Sequence, residues 1–180
     1  MGFLKISGDL SKWNVYRKAV VICDITEMFI NRAFSEKTRT IDQMRQAARS
    51  CKQNIVEGVS DGTVSAEMCI KLLGIARGSL RELMEDYSDF LRQHEFEIWK
   101  KNDPRTIQTR AFCIKNDDPI EFVKKCRVRS DETVANIMLT QTKQMDHMLA
   151  KLIQRVEQDF IENGGIKEAM RRARRDHRGF

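Results

Sequence analysis

Glu82, Glu85, Asp86 and Asp89 fall at a spacing that would align four carboxylates along a helix, and carboxylates on a helical bundle can hold a pair of metal ions. That chemistry normally adds a Glu-x-x-His pair on each of two helices. No Glu stands three residues before His94, His147 or His177, so the stripe reads as a solvated face paired with Arg81 or Arg92, and no metal ligands are assigned. A second polar group lies in two short words, NIVEG (Asn54, Glu57) and ARGSLREL (Arg77, Ser79, Glu82). Buried charges need partners because desolvation costs several kcal/mol per ion. A Glu57–Arg77 pair, with Asn54 bonding backbone at a helix end, would meet that need. These five residues read as a structural polar signature, and no nucleophile or base beside them suggests catalysis. The third group is basic. Arg45, Arg49 and Lys52 are spaced four and then three apart, which makes a ridge on one helix face, and Arg171, Arg172, Arg174 and Arg175 crowd the C-terminus. Both could touch phosphates, giving affinity without reading sequence. Gly58-x-x-x-Gly62 lacks the Lys and Ser/Thr of a phosphate loop, and no serine or cysteine triad has a local signature.

The elements that must carry these residues are helical. The 180-residue chain holds only two Pro and nine Gly, 41% hydrophobic residues and 32% charged ones, enough apolar matter for one domain with appendages. A first helix is expected from about Ser11, its cap, to Phe34, apolar on two sides, so that the second side would face another subunit. A second starts at Thr40, where Thr40-x-x-Gln43 is a capping box, and ends at Gly58. A third starts after Ser65 and reaches Gln93; Gly74 and Gly78 within it suggest close approach of another helix. Residues 94–129 read as an irregular insert, with a short helix from Pro104 capped by Asp103 and a turn from Pro119. The last long helix spans Asp131 to Asn163, closed by Gly164 and Gly165, and the tail beyond continues as a basic helix. The domain division is therefore 1–163 for the bundle, with 94–129 as its insert, and 164–180 for the tail.

Charge and cysteine content narrow the setting. Net charge is +6, from 32 Lys and Arg against 26 Asp and Glu. Six basic and two acidic residues lie from Gly165 to Phe180, so the tail holds +4 of it. Five widely spaced cysteines without a CxxC indicate a reducing, cytoplasmic setting with no disulfide framework. The N-terminal residues lack the apolar run of a signal peptide, and no segment approaches the roughly 18 apolar residues that span a bilayer.

Trp13, Tyr16, Asp42-Gln43-Met44, Ala47-Ala48, Asn54-Ile55, Glu57-Gly58 and Ala76-Arg77-Gly78-Ser79-Leu80-Arg81-Glu82-Leu83 resemble the four-helix-bundle family encoded by intervening sequences in 23S rRNA genes. The likeness covers the first half of the chain in detail and the last long helix by pattern. The 94–129 insert resembles the longer subgroup with its suffix segment. The resemblance implies an all-α, antiparallel up-down four-helix bundle assembled into ring-shaped homo-oligomers, often pentamers. It is related to the accessory protein of diversity-generating retroelements, a basic bundle that binds nucleic acid and a reverse transcriptase. The expected function is thus non-enzymatic: an oligomeric module binding DNA, RNA or a nucleic-acid-handling enzyme through basic surfaces, with no cofactor and no membrane. A purely structural protein–protein assembly is the first alternative. The second rests on Arg172 and His177, whose Arg-x4-His spacing resembles the short signature of HEPN-type ribonucleases; a tail so rich in arginine produces that spacing easily.

Overall fold

The computed structural model describes residues 13–35, 38–61, 65–164 and 166–178. The described residues are helical, without strands: α1 (Asn14–Ala33), α2 (Arg39–Asp61), α3 (Ala66–Gln93), α4 (Pro104–Lys115), α5 (Pro119–Arg127), α6 (Asp131–Asn163) and α7 (Ile166–Arg178). None of these helices is long and apolar enough to cross a membrane.

Local chemistry sets most boundaries. The Ser65 hydroxyl accepts from Met68 N–H at 3.3 Å, and the Ser130 hydroxyl from Thr133 N–H at 3.3 Å. Asp103 and Asp118 accept from Arg105 and Ile120 N–H at 2.8 and 2.9 Å, each just before a proline that cannot donate. Gly164, at φ 70°, ends α6 and donates its N–H to Phe160 O at 2.9 Å. The insert is thus two capped helices behind an extended stretch, more regular than expected. The Ser11 cap lies outside the described residues. α2 begins one residue before Thr40.

Two glycine readings are overturned. Gly58 does not end α2, which continues through it to Asp61. It is buried against α3, where a Cβ would come within 3.2 Å of Leu72 Cβ and 3.5 Å of the Cys69 carbonyl oxygen. The close approach expected at Gly74 and Gly78 occurs at Gly58 instead; a Cβ at either of those positions meets nothing within 4 Å.

The helices share one core. α2 packs on α1 and α3, α6 packs on α3 and α1, α5 lies on α1, and α4 lies on α6. Ile22, Phe29, Met44, Ile55, Leu73, Leu80, Leu83, Met138 and Leu149 are all buried; each large side chain so buried contributes about 1.5–3 kcal/mol of transfer free energy. Between α1 and α3 the Thr26 and Tyr87 hydroxyls meet at 3.0 Å within the core. The second apolar side of α1, read as facing another subunit, is instead covered by the insert. Lys18 Nζ donates to Asn116 O at 3.3 Å, Arg17 pairs with Asp117, and Arg32 donates to Arg127 O at 3.1 Å. The same covering explains an unusual feature of α6. Residues 134–142 are all buried, including Asn136, Thr140, Gln141 and Thr142, because α1 and α3 pack on part of the helix and α4 on another.

Candidate nucleic-acid interface

Of the ridge on α2, Arg45 is tied to the protein's own carboxylates. Arg45 grips Glu27 of α1 with two bonds, Nε to Oε2 at 2.9 Å and Nη2 to Oε1 at 3.1 Å, and also meets Asp42 at 3.3 Å. The Arg45 bond holds the Glu27 carboxyl below its usual range. Arg49 is exposed and Lys52 half-buried. Of this ridge Arg49 projects most freely.

The tail presents its charge differently. α7 is a helix in which Arg171, Arg174 and Arg175 stand at i, i+3 and i+4, within about 100° of arc. All three are exposed, and none forms an ion pair with a described residue. Positions 172 and 177, the Arg and His of the ribonuclease-like spacing, both lie on α7, five residues apart and so about 140° apart around the helix axis.

The polar signature comes together only in part. Ser79 and Ser50 hydroxyls meet at 2.9 Å across α2 and α3, and Asn54 Nδ2 donates to Ser50 O at 2.9 Å within α2. Glu57 is exposed, and Arg77 pairs with Asp146 of α6 instead, Nε to Oδ1 at 2.7 Å and Nη2 to Oδ2 at 3.1 Å. Arg81 Nε reaches the same carboxylate at 3.0 Å. These bonds, the one from Arg77 foremost, keep Asp146 below the ordinary aspartate range. The Glu57–Arg77 pair is therefore replaced by an α3–α6 clamp, which local spacing could not reveal because Asp146 lies 69 residues away.

Glu82, Glu85 and Asp86 line an open groove between α2 and α3, with Arg39 and Asp42 opposite. Burial, then Asp89 and Glu82, push the Asp86 carboxyl up to about 6. Among the described residues no three His, Cys, Asp or Glu side chains converge to hold a metal ion. The cysteines are free, and burial lifts their thiols, Cys51 and Cys113 to about 12 and Cys23, Cys69 and Cys126 to about 11, so each stays protonated and poorly nucleophilic at neutral pH.

Sequence reasoning missed a cationic cleft between the insert and α6. It encloses about 700 Å³ and is lined by Trp99, Lys101, Thr106, Arg110, Lys143 and Gln144, among others, with His147 at its edge and no carboxylate. Its basic residues come from two separate parts of the chain, Lys101 and Arg110 from the insert and Lys143 and His147 from α6, so no single local pattern marks them. No protein-family model, no curated protein and no solved structure matches this chain.

Proposed function

We propose that the chain is an up-down four-helix bundle, formed by α1, α2, α3 and α6, of the kind encoded by 23S rRNA intervening sequences. In this reading it is a non-enzymatic homo-oligomer that binds DNA or RNA, or a nucleic-acid-handling partner such as a reverse transcriptase, through basic surfaces. The observation that carries the reading is the arginine face of α7. Arg171, Arg174 and Arg175 are exposed at helical spacing and free of ion pairs to described residues, whereas Arg45, Arg77 and Arg81 are tied to carboxylates. Arginines aligned on one face can contact successive phosphates, and a ring of identical chains multiplies the contacts.

The oligomer has separate support. On α3, Met68 and Ile75 are 43% and 44% exposed, beside the open positions Gly74 and Gly78. Exposed apolar side chains near positions that carry no side chain give another helix a place to approach closely. Filter binding of duplex DNA and of single-stranded RNA at low salt tests the nucleic-acid reading, and retention of neither contradicts it.

A further inference from the structure

The cleft between the insert and α6 has the attributes of a built ligand site. We propose that it binds a nucleoside monophosphate: a phosphate held by Lys101, Arg110 and Lys143, with a polar ring system lying deeper against Trp99, Thr106 and Gln144. The proposal is independent of the tail and of the oligomer.

Charge is the first argument. The lining contains Lys101, Arg110, Lys143 and His147 and no carboxylate. The three Lys and Arg side chains form no ion pair with a described residue; Arg110 among them is half-buried, whereas the other half-buried arginines of the described residues, Arg17, Arg45 and Arg77, are each paired with a carboxylate. Cations gathered without counter-charge repel one another, and an anion between them removes that cost.

Unmet hydrogen bonds are the second. Trp99 Nε1, Thr106 Oγ1 and Gln144 Oε1 are buried without a partner, and Thr106 as a whole is only 5% exposed. Half of the six such side-chain atoms found among the described residues belong to residues that line this cleft. An unpaired buried polar atom is costly to the fold, so a ligand that satisfies all three gains affinity. They define what the ligand must carry. The indole N–H needs an acceptor, the Gln144 carbonyl needs a donor, and the threonine hydroxyl accepts either. Inorganic phosphate supplies acceptors chiefly; a nucleobase with its ribose supplies both kinds. A cleft of about 700 Å³ is also far larger than one phosphate and falls within the usual range for small-molecule sites.

Rigidity is the third. Asn136 of α6 accepts from Trp99 N–H at 2.8 Å and donates to Glu97 O at 2.8 Å, fixing residues 97–99 of the insert to α6. Arg105 lies 5.0 Å from the centroid of the Trp99 ring. Gln144 Nε2 donates to Arg110 O at 3.1 Å, which holds the Gln144 carbonyl end in place within the cleft. The groups that would meet the ligand are preorganised.

Isothermal titration calorimetry with adenosine and cytidine 5′-monophosphates, and with inorganic phosphate, tests this on the full chain. We expect saturable binding of at least one nucleotide, one per chain, and weaker binding of phosphate. Lys143→Gln, a change at an exposed position, should weaken nucleotide binding about tenfold. Thr106→Val removes a hydroxyl without a partner, so it should leave the melting temperature unchanged or higher, and it should weaken the nucleotide while leaving phosphate unaffected. No nucleotide binding at millimolar concentration overturns the proposal. So does equal affinity for phosphate and nucleotide, or a Lys143→Gln protein that binds as tightly as the unchanged chain.

Discussion

Asp86 and Asp146 show how two like side chains on one molecule acquire opposite pH behaviour. Asp86 is half-buried beside Asp89 and Glu82, so its native carboxyl titrates near 6 rather than at the ordinary 3.8. As pH falls from 6 towards that value, the native protein takes up a proton the unfolded chain does not, and stability rises. Asp86→Asn should capture that gain at neutral pH. After allowance for solvent screening it amounts to about 1 kcal/mol, or about 2–4 °C in melting temperature, and should disappear near pH 4. Asp146 is the reverse. Arg77 and then Arg81 depress its native value, so its contribution is present above the unfolded value and lost as pH falls through the lower native one. Asp146→Ala should cost about 1 kcal/mol at pH 7 and progressively less under acid conditions, read from thermal melts across pH. A loss at pH 7 that persists unchanged at pH 2 would count against the clamp to Arg77 and Arg81.

The helices were legible where their signals are local. Ser65, Asp103 and Ser130 cap, Pro104 and Pro119 start short helices, and Gly164 stops a long one, each within four residues of the group it serves. What spacing could not give was the partner of anything distant. Gly58 has the residue type of a terminator, yet it stands inside α2 and lets Leu72 of α3 approach, its Cβ 3.2 Å from where a Cβ at Gly58 would be. Arg77 has a carboxylate nearby in sequence and uses one on α6. The all-round burial of 134–142 depends on where the insert folds back, which periodicity on one helix does not encode. The glycines give a test at this scale. Gly78→Ala adds a methyl group in open space and should gain up to about 1 kcal/mol of helix propensity. Gly58→Ala earns the same propensity but presses a Cβ against Leu72, so its melting temperature should fall short of that of Gly78→Ala. Equal gains at both positions would remove the close α2–α3 approach.

At the scale of the whole molecule, net charge is concentrated at one end, whereas exposed apolar side chains are spread over α3, the insert, α6 and α7. Four units of the chain's net +6 sit from Gly165 onward, and exposed apolar side chains with adjoining glycines lie on α3. If that α3 face joins subunits, Ile75→Glu should lower the mass seen by light scattering while circular dichroism stays unchanged; an unaltered mass moves the interface elsewhere. The central claim, that the arginine face of α7 holds phosphates, is tested most directly by the salt dependence of duplex DNA binding, compared between the unchanged chain and one carrying Arg171→Gln, Arg174→Gln and Arg175→Gln. The account predicts a steep linear fall of log affinity with log salt, and a slope reduced by about two to three for each engaged chain in the variant. A slope that is shallow from the outset, or identical in the two proteins, would contradict it.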